Sequence, residues 1–340
     1  MAFYSFRDDY SDGAHPEILA ALTNGNTSIQ TSYGEDDHTE NARNLIKEKM
    51  KAPDADVHFV VSGTLANIVA IGSCLRPHEA VIAVSSGHIV VRETGAIEAL
   101  GHKIITVPPV EGKLTVAGIK QALRDNSHYP HMAKPRLVYI SNATEVGTLY
   151  TKAELSEIAE ICKQHKLILY LDGARLGAAL SAEENDLTLE EIGRLTDIFW
   201  IGGTKVGALL GEAIVINNPV LQEDFRFHLK QRGGLLAKGR VLGLQFEALF
   251  GSNLFFELAS NANITAKALS TGIERAGYAL AHKTITNQVF AIFSDEVIAK
   301  LESASSFYVW EKLGNGTSVI RLVTSWATQS QDVEGFLAML

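Results

Sequence analysis

One lysine lies among small residues directly after an apolar run, in Ile201-Gly202-Gly203-Thr204-Lys205. The predicted strand before it, residues 197–201, has the composition of a strand buried on both faces. Glycines there would let a flat ligand approach the backbone closely. An ammonium in such a place is poorly solvated, so its pKa would fall, and the free amine could attack a carbonyl carbon. Lys205 is therefore a candidate for covalent attachment to a carbonyl compound, with an ordinary surface lysine as the alternative.

Two further segments carry polar side chains where predicted strands end. Ser62-Gly63-Thr64 separates a strand from a helix, and the free amides of a helix N-terminus favour an anion such as phosphate. A simple serine cap would produce the same pattern. Asp172 ends a fully apolar strand, where a carboxylate needs a cation or a strong donor. Its partner is either Arg175, three residues later, or a nitrogen atom of a ligand.

A histidine and an arginine also follow or interrupt predicted strands. His88 lies in the loop after the strand at residues 80–84, where it could reach a ligand, although a lone histidine is more often structural. Arg321 interrupts the apolar strand at 318–324. It lies either on an exposed face or in a buried position where it would bind a carboxylate bidentately.

Basic residues cluster around Gly233-Gly234. A solvated surface is the default interpretation of such a cluster, but an anion site or a subunit contact would need the same side chains. The cluster consists of Lys230, Arg232, Lys238 and Arg240.

Several classes of protein are excluded by the sequence. Lys205 is followed by Val206 rather than Ser or Thr, so it does not belong to a P-loop, and no dinucleotide-binding glycine motif is present. A formal net charge of -9 without runs of Lys and Arg argues against a nucleic-acid surface. The two cysteines, Cys74 and Cys162, provide neither a disulfide framework nor a metal site. No signal peptide and no apolar run of about 18 residues is found. We therefore expect a cytoplasmic protein with no membrane partner.

Short apolar runs alternate with amphipathic helices from residue 57 onward, which predicts helical crossovers on a largely parallel sheet. The predicted strands are residues 57–61, 80–84, 103–107, 137–141, 167–171, 197–201 and 213–216. Predicted helices include 65–75, 90–100 and 115–124, a helix capped at Thr39, and another that runs from the cap Thr151 to His165. From residue 278 the pattern favours a smaller α+β domain with a hairpin turn at Asn315-Gly316. A length of 340 residues is consistent with two domains.

Six segments, taken together, match one known pattern in order and spacing. On them, the chain resembles the low-specificity L-threonine aldolases, which are pyridoxal-phosphate enzymes of the β-eliminating lyase group with the aspartate-aminotransferase fold, fold type I. The resemblance extends over essentially the whole chain. The segments are Ser62-Gly63-Thr64-Leu65-Ala66-Asn67, His88 with Glu93, Asp172-Gly173-Ala174-Arg175, Gly203-Thr204-Lys205, Tyr33-Gly34-Glu35-Asp36, and residues 319–326.

This resemblance implies an α/β fold. A large domain, residues 1–240 with an N-terminal arm at 1–15, would contain a mostly parallel seven-stranded sheet flanked by helices. Residues 241–340 would form the smaller α+β domain. The resemblance also implies a homo-oligomer, a tetramer built from dimers, whose subunits share active sites.

The resemblance further assigns expected roles to individual residues. Lys205 would bind pyridoxal 5'-phosphate covalently, Asp172 would keep the ring nitrogen protonated, and His88 would stack on the ring. The phosphate would be bound by Ser62, Gly63 and Thr64. Arg175 and Arg321 would bind the substrate carboxylate, and Tyr33 would line the site from a neighbouring subunit. Lys230, Arg232 and Lys238 fall where the family has residues that reach a partner's cofactor, and Lys238 is included with Arg175 among the cofactor-binding candidates.

The expected reaction is cleavage of L-threonine or L-allo-threonine between Cα and Cβ, which gives glycine and an aldehyde. His88 and His131 are the candidates for the base that removes the β-hydroxyl proton, with His88 ranked first. Related reactions of the same group, phenylserine cleavage or β-elimination, are the nearest alternatives. A protein of another class, a cofactor-free α/β binding protein, would retain the fold without the chemistry. No metal is expected.

One segment departs from the family pattern. Where the family commonly has a Ser-Asp pair near the N-terminus, this chain has Asp8-Asp9, with Ser11 two positions further on. An aspartate in place of the serine would repel a substrate carboxylate. Ser11 is accordingly a candidate for the substrate contact.

Overall fold

A computed structural model describes residues 3–340 of the chain. Its strands fall into three sheets, of seven, three and two strands. In chain order the strands are β1 (Tyr4–Ser5), β2 (Asp56–Val60), β3 (Glu79–Val84), β4 (Lys103–Val107), β5 (Lys134–Ser141), β6 (Ile168–Asp172), β7 (Ile198–Gly202), β8 (Glu212–Ile216), β9 (Gln288–Ser294), β10 (Ser305–Ser306), β11 (Tyr308–Lys312) and β12 (Thr317–Val323).

The seven-stranded sheet has the order β2-β8-β7-β6-β5-β3-β4. Only β8 runs against the direction of its neighbours. The carboxyl ends of β3, β5, β6 and β7 therefore meet at one edge. In a sheet of this kind, that edge is where ligands bind. The predicted mostly parallel, seven-stranded sheet is confirmed.

Helices cover both faces of this sheet, which explains the nearly continuous apolar composition of its strands. Each face has its own buried core; the side chains of α3 and α10 belong to one core and those of α1, α2, α6 and α11 to the other. The helices are α1 (Pro16–Gly25), α2 (Asp37–Met50), α3 (Gly63–Cys74), α4 (His88–Val91), α5 (Val116–Asp125), α6 (Lys152–His165), α7 (Leu176–Leu180), α8 (Leu189–Leu195), α9 (Pro219–Gln222), α10 (Phe225–Gln231), α11 (Arg240–Gly251), α12 (Leu254–Arg275), α13 (Asp295–Glu302) and α14 (Ser330–Leu337).

A third core lies against the antiparallel sheet β11-β12-β9. It contains side chains of α13, α14 and the second half of α12, together with Phe6 from the N-terminal arm. The arm reaches this region because β1 pairs with β10. Phe246 of α11 and Phe255 at the start of α12 belong instead to a core of the main sheet. The division into domains at residues 240 and 241 stays a prediction.

Two predicted helix features are wrong. The helix expected at 90–100 is only the four-residue α4, because Thr94 and Gly95 have φ angles of 55° and 72° and break it. This turn directs Glu93 back toward His88. The N-cap of α2 is Asp36 rather than Thr39, since the Asp36 carboxylate accepts the Thr39 N–H at 2.8 Å.

No helix among residues 3–340 combines the length and the apolar composition that a membrane crossing requires.

Candidate active site

Two adjoining cavities open at the carboxyl edge of the main sheet. The inner one has a volume of about 170 Å³ and the outer one about 420 Å³. Both are lined by His88, Arg175 and Lys205, so these three side chains lie where the cavities meet. The structure thus brings together most of the candidate residues: Ser62, Gly63, Thr64, Asp172 and Glu93 line the inner cavity, and Arg321 lines the outer one.

Lys205 lies in a short 3-10 turn directly after β7. Burial and the nearby charge of Arg175 lower its pKa, while the carboxylates of Asp9, Asp172 and Glu212 act in the opposite direction. Among residues 3–340, it takes part in no ion pair. The surface-lysine interpretation is wrong, and the amine is placed to react with a carbonyl group.

Asp172 ends β6 and is buried. Its Oδ2 atom accepts hydrogen bonds from the Tyr139 hydroxyl at 2.6 Å and from Asn67 Nδ2 at 3.2 Å. The Ala174 N–H donates to Oδ1 at 3.0 Å. These donors are uncharged, so they stabilise the Asp172 carboxylate but do not neutralise its negative charge. Asp172 can therefore pair with a cationic nitrogen in the cavity.

The N-terminus of α3 faces the same cavity. Ser62 caps the helix by accepting the Leu65 N–H at 3.3 Å, and the amides of Gly63 and Thr64 belong to the first turn, which has no internal acceptors. A Cβ added to Gly63 would lie 2.7 Å from the Trp200 ring, so only glycine fits there. This end of the cavity can hold an anion.

His88, the first residue of α4, lines both cavities. Its Nδ1 atom lies 2.7 Å from Glu93 Oε1, and Glu93 is buried. The carboxylate therefore holds the proton on Nδ1 and leaves Nε2 as the acceptor. His88 donates its backbone N–H to Glu145, whose second carboxyl oxygen is buried without a partner among the described residues. Burial raises the pKa of Glu145.

Arg175 is paired with Asp9 and not with Asp172. Its Nε and Nη2 atoms donate to the two Asp9 oxygens at 2.7 and 2.9 Å, and Asn287 donates to Asp9 at 2.9 Å. The interpretation of Asp172 and Arg175 as a structural ion pair is therefore wrong. Of the two adjacent aspartates, Asp9 is the buried one, whereas Asp8 is half-buried and accepts the Tyr10 N–H.

Arg321 lies on β12 between two aromatic rings of β11. Its guanidinium carbon is 5.4 Å from the centre of the Tyr308 ring and 5.0 Å from that of Trp310. Its Nε atom is buried and has no acceptor among residues 3–340. Burial and the charge of Arg175 lower the pKa of Arg321. The exposed-face interpretation is therefore wrong. The two rings position the Arg321 guanidinium so that it can bind an anion in the outer cavity.

Sequence reasoning missed two buried carboxyl groups of the inner cavity, Glu145 and Glu212. Glu212 accepts the Gly203 N–H at 2.9 Å and the Thr204 hydroxyl at 2.8 Å, and so fixes the turn that carries Lys205. Burial raises the pKa of Glu212. A charged residue directly before the apolar run at 213–216 was a signal for Glu212. For Glu145, which lies in a loop, the sequence contains no comparable signal.

Four predicted site residues lie away from these cavities. The Tyr33 ring contacts Lys230, whose Nζ is 4.3 Å from the ring centre, and borders a separate small cavity. His131 lies in an exposed loop, with its ring 4.8 Å from that of His128. Lys238 and Ser11 are exposed. Within one chain, none of these four reaches Lys205.

The cavity suits a flat aromatic cofactor that carries an aldehyde, a phosphate and a basic ring nitrogen. Lys205, the α3 N-terminus and Asp172 correspond to these three groups, on a sheet with ligand-binding carboxyl ends. This fold and site define the class of pyridoxal-phosphate enzymes of fold type I. Aspartate aminotransferase from Thermus thermophilus shares the fold, with a TM-score of 0.71 and 15% identity over 99% of this chain and 91% of that one.

Comparison with known proteins identifies the family within this class of enzymes. The family model described as beta-eliminating lyase matches residues 10–296. A low-specificity L-threonine aldolase from a Pseudomonas species is 34% identical over 98% of this chain and 96% of its own length. Threonine aldolase from Leishmania major has a TM-score of 0.97 and 50% identity over 98% of both chains. The chain belongs to the beta-eliminating lyase family and is a pyridoxal-phosphate-dependent lyase.

Proposed function

We propose that the protein cleaves L-threonine and L-allo-threonine between Cα and Cβ, releasing glycine and acetaldehyde, with the cofactor attached to Lys205. The observation that carries this proposal is the position of Lys205, half-buried where the two cavities meet, in a lining that also contains Asp172, Arg175 and Arg321. Relatives with the same fold and the name threonine aldolase support the choice of reaction.

The cofactor side of the site is assigned from the inner cavity. When bound, pyridoxal phosphate acts as an electron sink that weakens a bond to the substrate's Cα. Asp172 would balance the positive charge of the ring nitrogen, and the Gly63 and Thr64 amides would bind the phosphate with Ser62 at the same turn. His88 would lie against the ring.

The substrate side is assigned from the outer cavity. Arg321 and Arg175 would hold the carboxylate, and this grip would orient the Cα–Cβ bond for cleavage. Nε2 of His88 would accept the β-hydroxyl proton, because Glu93 keeps the proton of the imidazole on Nδ1. His88 is preferred to His131 since it lines the cavity and His131 does not.

Arg321 provides a test of the substrate side. Arg321→Gln should raise the KM for L-threonine about 10- to 100-fold, because a charged hydrogen bond to a carboxylate contributes about 1.5–3 kcal/mol. The visible band of the bound cofactor should stay unchanged, since Arg321 does not line the inner cavity. Steady-state kinetics and absorption spectra measure both. Lys312→Gln, at an exposed position on β11, is the control; an unchanged KM in Arg321→Gln would contradict the assignment.

We further propose a cytoplasmic homo-oligomer, a tetramer built from dimers, in which Tyr33, Lys238 and His131 contribute to a partner's site. Fully or largely exposed apolar side chains support this proposal, with Ile29 100% and Phe227 75% exposed. Tyr33 also lines neither the inner nor the outer cavity of its own chain. The molar mass in solution, from light scattering, tests the oligomer.

Product analysis tests the reaction. Purified protein supplied with pyridoxal phosphate should convert both threonine isomers to acetaldehyde and glycine in equal amounts. A keto acid with ammonia would indicate β-elimination instead. No product from either isomer would remove the proposal.

A further inference from the structure

Asn67 joins the two buried carboxylates that serve the active site. It lies on α3 and is itself buried. Its Nδ2 atom is 2.6 Å from Glu93 Oε1 and 3.2 Å from Asp172 Oδ2. An amide nitrogen has two hydrogens, so one group serves both carboxylates. Glu93 in turn holds Nδ1 of His88 at 2.7 Å.

The orientation of this amide is fixed by a third neighbour. The Tyr170 hydroxyl lies 2.7 Å from Asn67 Oδ1. Ionised carboxylates only accept hydrogen bonds, whereas a hydroxyl can donate, so the nitrogen must face Glu93 and Asp172 and the oxygen must face Tyr170. A rotated amide would place its oxygen against two carboxylates.

We propose that Asn67 is a positioning residue that keeps Glu93 ionised beside Asp172 and thereby holds His88 in the tautomer with the proton on Nδ1. Two buried carboxylates that share no donor repel each other, and one of them takes up a proton. The shared amide donates one hydrogen to each carboxylate, so both can stay ionised. This inference rests on the proposed function of His88 as the acceptor of the β-hydroxyl proton.

The effect of losing the amide falls unequally on its two neighbours. Asp172 keeps the Tyr139 hydroxyl at 2.6 Å and the Ala174 N–H at 3.0 Å. Glu93 keeps only the His88 imidazole, and its Oε2 atom is already buried without a partner among the described residues. Without the amide, Glu93 becomes the protonated carboxyl, and its hydroxyl can donate to Nδ1 of His88. The histidine proton then moves to Nε2, the atom that must accept a proton in the reaction.

Charged and titratable groups around His88 belong to several elements. They are Glu93 and Glu145 on its protein side, and Lys205, Arg92, Arg175, Arg321, Tyr10 and Tyr308 on its cavity side. Asn67 contacts none of the cavity-side groups through a hydrogen bond. Asn67 also lines the inner cavity, but its hydrogen bonds reach His88 through Glu93.

Asn67→Leu, which has nearly the same shape, tests the proposal. Its kcat should fall about 10-fold or more, whereas KM changes little and the visible cofactor band remains, because Asp172 keeps its other donors. Glu93→Gln should lower kcat similarly. The double variant should be no slower than the slower single variant, since both changes act on one interaction. Multiplied losses would show that Asn67 does not act through Glu93.

Nitrogen NMR of histidine-labelled protein without cofactor gives a readout that does not depend on activity. The His88 signals, identified by their loss in His88→Gln, should show the proton on Nδ1 in the wild type and on Nε2 in Asn67→Leu. An unchanged tautomer together with a lower kcat would overturn the proposal and leave Asn67 a packing role.

One control and one further variant separate positioning from folding. Ser73→Ala, on the same helix and bonded only within residues 70–74, should change neither the kinetics nor the tautomer. Tyr170→Phe removes the hydroxyl that orients the amide and should shift the tautomer partly in the same direction. If the wild type forms no glycine, the proposed reaction fails while the tautomer measurement still decides the role of Asn67.

Discussion

Lys205→Ala should abolish the visible band of the bound cofactor and lower the rate of threonine cleavage by at least about 10³-fold. The variant lacks the amine whose pKa is lowered by burial and by Arg175, and no other lysine among residues 3–340 lines either cavity. Neighbouring residues cannot take over the covalent bond that the Lys205 amine forms. The fall in kcat should therefore be as large as that seen when a catalytic nucleophile is removed.

Absorption spectra before and after borohydride measure this effect, and peptide mass analysis locates the reduced cofactor. In the wild type, the added mass should be on the peptide that contains Lys205. Lys120→Ala, at an exposed position on α5, should behave like the wild type. A label on another lysine, or a variant that keeps the band, would contradict the assignment. A wild type that stays colourless with added pyridoxal phosphate would remove the cofactor chemistry altogether.

Asp9→Asn should lower the free energy of unfolding by about 3–5 kcal/mol at neutral pH, because it leaves the largely buried Arg175 guanidinium without its carboxylate. The KM for threonine should rise as well, since Arg175 would lose the contacts that orient it beside Lys205. Denaturant unfolding and steady-state kinetics measure the two effects.

The stability effect should depend on pH in a defined direction. Burial raises the pKa of Asp9, but the charges of Arg175 and Lys205 outweigh burial and lower it below its ordinary value. A lowered pKa in the folded state contributes stability that is complete above the unfolded pKa of about 3.9 and is lost as the pH falls further. The difference between wild type and Asp9→Asn should therefore be largest at neutral pH and shrink below about pH 4.

Asp8→Asn is the matched control for this experiment. Asp8 is adjacent in sequence but only half-buried, and its carboxylate accepts one backbone N–H. Its replacement should change stability by less than about 1 kcal/mol. Equal effects of the two substitutions would show that the ion pair with Arg175 is not what Asp9 contributes.

The N-terminal pair also shows what local sequence leaves undecided. The aspartate in the serine position, Asp8, is expected to repel the substrate carboxylate, and this expectation stays a prediction. The structure places Asp9 against Arg175, 166 positions away along the chain, so the Asp9 charge is already paired. Local sequence contains no information about a contact between residues so far apart.

The sequence alone determined the strands, most helices and the strand-end positions of His88, Asp172 and Lys205, because apolar periodicity and turn residues act within a few positions. Only the tertiary structure decided the partner of each charge: Asp9 for Arg175, Tyr139 and Asn67 for Asp172, two aromatic rings for Arg321. It also placed Glu145 and Glu212 in the cavity and left His131 and Tyr33 outside it. Burial and pairing depend on which distant segments meet, and that is decided by packing of the whole chain.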